Sequence, residues 1–351
     1  MAGLRSFRPM TSARLTLQCG LALLFSLCFP AHSAELFDKQ HLAAWCIVPF
    51  DAKKRGPEER AAMLARLGIR KFVYDYRAEH IPQWDAELSA LKKHGIELLG
   101  WWFPATLNDE ARNALELFKR HGVKPQLWVS GNGGPLPVKD AADQQARIAK
   151  EVERLLPICE AAATLGCRVG LYNHGSWYGE PENAAAIVET LQSRGVRNAG
   201  IVYNLHHGHS HLDRLPALLE KIKPHLLCFN LNGMDIAGDQ QGRKILPLGA
   251  GTEDVKVLRI LRASGYSGPV GILNHTSEDA EGRLLDNLDG LNWLLPQLDD
   301  NPPAAKPRYR TWSESVEDAE PKAERSKTQS VDSVNAAFGK ALKGGWVTDG
   351  D

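Results

Sequence analysis

The sequence predicts an α/β protein, a single (β/α)8 TIM barrel, on two observations. Eight short apolar runs end in polar residues: 44–50, 71–76, 97–104, 126–131, 168–174, 199–205, 226–233 and 269–275. Between them lie stretches of helical length and period, such as 58–67 and 213–223. Strands alternating with helices call for a parallel sheet, because parallel neighbours are joined by crossovers. Eight such units in about 250 residues is the size of a closed barrel. Closure also says where chemistry belongs, at the C-terminal ends of the strands.

Three segments follow along the chain. Residues 1–34 read as a signal peptide. Arg5, Arg8 and Arg14 form a basic start, residues 15–29 are apolar, and Ala31-His32-Ser33 is a small-x-small cleavage signal before Ala34. The apolar run is shorter than the roughly 20 residues a bilayer span needs. A periplasmic or secreted protein with no membrane anchor is the expectation. Residues 35–299 hold the barrel, and Leu284, Leu285, Leu288, Leu291 and Leu295 give its last helix one apolar face. Residues 300–351 read as a disordered linker and tail. Asp299-Asp300-Asn301-Pro302-Pro303 stops the helix, and 303–327 is too rich in Pro, Ala, Lys and Glu to bury a core. Phe338 and Trp346 are the residues through which such a tail could dock.

With 351 residues, 43% of them hydrophobic, the chain can build one large core. The 42 basic and 42 acidic side chains balance, which leaves no basic footprint for nucleic acid. Cleavage would leave Cys46, Cys159, Cys167 and Cys228. Buried free thiols are one reading. Export permits disulfides, and Cys159–Cys167 is the one pair close enough in sequence to propose. Gly131-Asn132-Gly133-Gly134-Pro135 after strand four reads either as a lid or backbone-donor loop, or as a plain turn. The glycines of 246–251 after strand seven sit where barrels cradle phosphate, but no lysine or arginine follows closely.

Six of the twelve histidines, His174, His206, His207, His209, His211 and His275, lie at or just past strands five, six and eight. Together they point to a site. His206-His207-x-His209-x-His211 also reads as a metal tract, with His207 and His209 as candidate ligands. Neighbours in an extended chain face opposite sides, so two or three of them could converge. Trp45, Trp101, Trp102, Trp128 and Trp177 lie near the mouth. Aromatic faces stack on sugar rings, and Trp177 stands out because it is in a loop. Asp75 and Arg77 end strand two, as an ion pair or a grip on substrate. Glu180, Glu278 and Asp279 start helices, where the dipole alone favours a carboxylate.

Four segments carry a resemblance: Leu171-Tyr-Asn-His174-Gly, Val202-Tyr-Asn204-Leu-His-His207, Asn230-Leu-Asn232-Gly233-Met-Asp235 and Leu246-Pro-Leu-Gly249-Ala-Gly251. They resemble the xylose isomerase-like barrels, a superfamily of sugar isomerases/epimerases and family-2 abasic endonucleases, and more closely an exported branch described as sugar isomerases/epimerases. The resemblance implies a divalent-metal site in the metal-dependent members. There strand five ends in Glu-Asn-His, and here it reads Tyr172-Asn173-His174. An Asp followed three residues later by His becomes Asn204 and His207. The strand-seven His is matched by Asn230 and the strand-eight Glu by Asn274. Hard cations want charged oxygens, so a metal is allowed by the family while its usual ligands are replaced.

Inward positions alternate along a strand. Tyr172 therefore shares a face with His174, and Asn230 with Asn232. Amides both donate and accept, which suits sugar hydroxyls, although buried asparagines also tie loops together. The resemblance implies proton removal next to a carbonyl, giving isomerisation, epimerisation or elimination. Such chemistry needs a base near neutral pKa and a hold on the enediolate. His174 and His207 are the candidate base and acid. Tyr172, Trp177, Asn204, Asn230, Asn232, Asn274 and His275 are the candidate sugar contacts. Export favours a free sugar, keto-sugar or glycoside over a sugar phosphate. Two readings stay beside this one: a non-catalytic sugar-binding barrel without the family metal, and a histidine-rich exported metal binder.

Overall fold

The structure is a computed structural model that describes residues 36–313, with Met1 and Gly3. The remainder of residues 1–34 and the tail past residue 313, with Phe338 and Trp346, lie outside the described residues. Eight parallel strands close into a barrel in chain order: β1 (Leu42–Trp45), β2 (Lys71–Tyr74), β3 (Glu97–Phe103), β4 (Gln126–Val129), β5 (Arg168–Tyr172), β6 (Ala199–Asn204), β7 (Leu226–Leu231) and β8 (Val270–Leu273). The ring closes where Leu42 pairs with Val270 and Trp45 with Leu273. The crossover helices are α1 (Pro57–Leu67), α2 (Trp84–His94), α3 (Asp109–His121), α4 (Ala141–Leu165), α5 (Pro181–Ser193), α6 (Leu215–Ile222) and α7 (Asp254–Ala263), and α8 (Ala280–Leu294) follows the last strand.

The helix boundaries follow from capping. Asn108 accepts from the Ala111 amide (2.9 Å) to start α3, and Asp140 accepts from Asp143 (2.8 Å) to start α4. Such side chains satisfy amides that a first turn leaves free. Gly68 and Gly122, at φ 77° and 66°, end α1 and α3 in the left-handed conformation that favours glycine. Among the described residues no helix is long and apolar enough to cross a membrane.

Strand alternation sorts side chains into two cores. One, including Phe72, Tyr74, Trp101, Phe118 and Phe229, packs between sheet and helices. The other fills the barrel with Ala43, Trp45, Val73, Leu99, Trp102, Trp128, Tyr172, Val202, Cys228 and Leu273. Glycines make room for this filling. A Cβ on Gly100 would come within 3.0 Å of the Trp128 ring, and one on Gly271 within 1.8 Å of Asn230 Oδ1.

The strands are shorter at the mouth than the apolar runs suggest. The first run, read over 44–50, pairs only as Leu42–Trp45, because Cys46 turns the chain at φ 58°. A non-glycine residue in that region stores strain, which clusters at functional sites. Cys46, Cys159, Cys167 and Cys228 are all buried, and Cys159, Cys167 and Cys228 are free thiols, so the pairing proposed for Cys159 and Cys167 is not made. Burial pushes the Cys159 and Cys228 thiols up to about 12 and Cys167 to about 11.

The reading of everything past residue 300 as free linker needs correcting over residues 301–313, which lie along α8. The Trp293 indole donates to Ala304 O (2.8 Å), and the Tyr309 hydroxyl to Leu248 O (2.9 Å). Asp286 of α8, wholly buried, accepts from the Arg310 amide (2.8 and 2.9 Å), the Thr311 amide (2.8 Å) and the Thr311 hydroxyl (2.8 Å). Composition counts apolar area and so misses a segment seated on a buried anion.

Candidate active site

The barrel interior ends at the mouth in an aromatic floor. The Trp45 and Trp128 rings meet edge-on with centroids 4.8 Å apart, and Trp102 meets Tyr172 at 5.0 Å and 88°. Trp128 lies nearly parallel to Tyr172 at 5.9 Å. Trp101 points the other way, into the outer cluster with Tyr74, Tyr76 and Trp84.

Above this floor stand buried amides. Asn204 donates to the Tyr172 hydroxyl. Asn232 donates to Gly233 O (2.9 Å), and Asn274 to Ile272 O (3.2 Å). Asn230 accepts only from the Cys228 thiol, at 3.5 Å. The other end of each amide has no protein partner: Asn204 Oδ1, Asn230 Nδ2, Asn232 Oδ1 and Asn274 Oδ1 are buried and unpaired, as is Trp45 Nε1. Buried polar atoms are normally hydrogen-bonded, and these amide ends, gathered at strand ends, are not. Asn173 differs. It is spent on structure, accepting from the Asn204 amide (2.6 Å) and donating to Asn204 O (3.1 Å).

The histidines divide between two jobs. Four imidazoles form a row across the mouth. His174 lies 4.5 Å from His207, which lies 3.6 Å from His206, which lies 5.6 Å from His275 (ring centroids). His275 packs against Phe50, ring centroids 3.9 Å apart and tilted by 53°. His206 is buried with Nδ1 unpartnered. Burial first, then the charges of His207, His275, Lys244 and His174, hold its pKa well below the usual histidine value. His209 and His211 instead anchor loops. His209 places its two ring nitrogens against Asp235 O (3.1 Å) and Lys244 O (3.0 Å), so it presents no lone pair to a metal. His211 bridges the Tyr203 hydroxyl (3.0 Å) and Glu180 (3.5 Å). Hydrogen bonds from His211 and Arg214 hold Glu180 below the ordinary carboxylate range. Among the described residues no group of three or more His, Cys, Asp or Glu side chains is placed to hold a metal ion.

Trp177 lies away from the mouth. Its indole is fully buried in the outer core, donates to Gln144 (2.7 Å), and packs where a Cβ on Gly133 would reach within 2.2 Å. The 131–135 loop is thereby stitched to the loop after β5, with Trp177 N donating to Gly134 O (3.2 Å) and Tyr178 N to Asn132 O (3.1 Å). The glycine loop after β7 is likewise committed. The Asp254 carboxylate accepts from the amides of Met234 (2.7 Å), Gly249 (2.7 Å) and Gly251 (3.2 Å), which an external phosphate would need.

Asp75 and Arg77, read from sequence as an ion pair or a substrate grip, make no direct carboxylate–guanidinium pair. Arg77 donates to the backbone oxygens of Asp75 (2.8 Å) and Tyr76 (3.0 Å), not to the carboxylate. The carboxyl is buried. Oδ1 accepts from the Val48 amide (3.3 Å), and Oδ2 has no partner. Burial pushes its pKa to about 6, against Arg77 and Arg60. Strand parity was the signal available for it, since Tyr74 and Tyr76 stack on each other outside the barrel.

No curated protein matches the chain in sequence. Solved structures of the same architecture do. A 3-keto-D-glucoside 4-epimerase from E. coli matches with 16% identity and a TM-score of 0.52, over 73% of this chain and 99% of its own. A xylose isomerase domain-containing protein from Salmonella typhimurium matches at 12% and 0.56, over 74% and 98%. The IOLI protein, solved with a bound zinc atom, matches at 15% and 0.55, over 74% and 99%. At such identities the likeness is one of fold. The family described as xylose isomerase-like TIM barrel matches residues 55–296, which span β2 to β8 with the helices between them. By fold, by strand-end motifs and by this match, the chain belongs to the xylose isomerase-like TIM barrel family.

Proposed function

We propose that the chain is a sugar isomerase/epimerase-like enzyme that moves a proton beside the carbonyl of a free sugar or keto-sugar. The observation that carries this reading is the set of unpartnered amide ends on Asn204, Asn230, Asn232 and Asn274 above the aromatic floor. Amides match hydroxyls in either direction, and the floor suits the apolar face of a sugar ring. The row of imidazoles supplies groups that take and give protons near neutrality. His174 and His207, 4.5 Å apart and partly exposed, are the pair to reach a ligand. His206, buried behind them, stays neutral and orients His207.

The family's divalent metal fits this mouth poorly. Tyr172, Asn204, Asn230 and Asn274 offer a phenol and three neutral amides, whereas hard cations prefer charged oxygens. No step here is routed through a metal. We also place the protein outside the cytoplasm, on the basic and apolar pattern of residues 1–34. Sequencing the N-terminus of exported protein tests that, and an intact Met1 would sink it.

The activity test is hydrogen exchange. Purified protein, dialysed against EDTA, is incubated with a panel of ketohexoses in D2O and followed by NMR. Deuterium entering the carbon next to the carbonyl, unaffected by EDTA, is the expected result. Sugar binding by calorimetry with neither exchange nor conversion would favour a non-catalytic sugar-binding barrel instead.

A further inference from the structure

We infer that the Asp75 carboxyl is the second proton-transfer group of this mouth, facing the imidazoles from the opposite wall, and that the reaction is therefore epimerisation by two groups rather than one. The inference rests on the carbohydrate reading of the mouth given above and commits it to inversion at a carbon.

The geometry comes from the ring. In a closed barrel of eight strands in chain order, β2 and β6 are four places apart and so stand diametrically across the mouth. His207 follows β6 directly in the turn Leu205–His207, and Asp75 follows β2 directly. Tyr74 and Tyr76 both pack outside the barrel, stacked 5.6 Å apart. Asp75 between them must point inward, like Val73 two residues before it.

Its chemistry sets it apart from other carboxylates near the mouth. Asp51 is gripped by Arg55 at 2.8 Å, Asp235 by Arg243 and Thr252, and Asp254 by three amides. Glu278 also leaves one oxygen unpartnered, but it stands against the Arg283 guanidinium. Asp75 and Glu278 each keep a buried oxygen without a donor, and of the two Asp75 is the one carried at the end of a strand whose inward face it continues, across the ring from β6. A carboxylate oxygen left this way is costly, and a hydroxyl or an acidic C–H of a ligand would meet it. The charged groups that act on it are Arg77 from its own loop and Arg60 from α1. Its pKa of about 6 lets it both accept and release a proton near neutrality.

The step balances without a redox partner. Asp75 Oδ2 takes the proton from the C–H beside the carbonyl. That bond's electron pair forms the C=C of an enediolate, and the carbonyl π pair moves to oxygen. A protonated imidazole on the other face then gives its proton to the same carbon, and the pairs return. One C–H is broken and one is made on the opposite face. Asp75 ends protonated, the imidazole ends neutral, and both re-equilibrate with water.

The test uses the full chain with D-fructose and, separately, its C3 epimer D-psicose in D2O, for wild type and Asp75→Asn, with circular dichroism to confirm the fold. Wild type should invert the carbon next to the carbonyl, with deuterium in the product. Asp75→Asn should lose inversion by about a hundredfold or more, while the imidazole side still exchanges deuterium into one epimer without inverting it. A merely structural Asp75 would lower both signals together, and that result overturns the proposal. Inversion at the wild-type rate in Asp75→Asn also overturns the role of Asp75 and leaves the enzyme reading standing. Wild type that exchanges no hydrogen of either sugar overturns both.

Discussion

His206 and His207, consecutive in sequence, hold their rings 3.6 Å apart (centroids) at a tilt of 43°, and His207 lies 4.5 Å from His174. Like charges at such distances disfavour each other, so the row cannot be protonated throughout. The buried member, His206, is the one held neutral.

That has a consequence for stability. The folded pKa of His206 lies well below its unfolded value of about 6.5. Below pH 6.5 the unfolded chain binds this proton and the folded chain does not, so stability falls on acidification through that range. Above pH 6.5 the residue has no effect of this kind. His206→Gln should therefore flatten the drop in melting temperature between pH 7 and pH 5. An unchanged drop would show that His206 titrates normally in the fold.

His174→Ala and His207→Ala should each lower kcat by roughly a hundredfold or more if the imidazoles transfer protons. Both side chains are partly exposed, so circular dichroism and melting temperature should barely change. Steady-state kinetics on the responding ketohexose decides it, and turnover surviving both changes would refute the assignment.

Asn230 offers a separation of binding from stability. Its Nδ2 is buried and unpaired, and its Oδ1 meets only a thiol. Replacing an unsatisfied polar group by an apolar one of similar shape is nearly neutral or stabilising. Asn230→Leu should hold or raise the melting temperature and weaken sugar binding by roughly tenfold, about 1.4 kcal/mol. A lower melting temperature with unchanged affinity would mean the amide serves the fold.

Residues 303–313 should contribute measurably to stability. Comparing chains ending at residue 302 and at residue 313 isolates them. Losing the Arg310 and Thr311 donors leaves the buried Asp286 carboxylate uncompensated, a cost of about 1–3 kcal/mol. At about 2–4 °C per kcal/mol, the shorter chain should melt several degrees lower. Asp286→Asn should recover part of that loss by removing the charge. Equal melting temperatures for the two chains would show the segment adds nothing.

Much of this molecule was written in local pattern. The alternation of short apolar runs with helical stretches determined eight strands, each followed by a helix, and hence a closed ring with its chemistry at one end. Strand parity likewise put Tyr172 on one face with His174, and Asn230 on one face with Asn232. These are properties of neighbours along the chain, which periodicity records directly. The tertiary structure decided which side chains from different strands meet. Closure brings His206 after β6 near His275 after β8 and sets the end of β2, with Asp75, across the ring from β6. It turns His209 and His211 toward carbonyl, phenol and carboxylate partners, buries Trp177 under Gly133, and seats residues 310 and 311 on Asp286. Those outcomes depend on ring register and on partners tens of residues away. A local pattern fixes the face a side chain occupies, but not the group waiting on the other side.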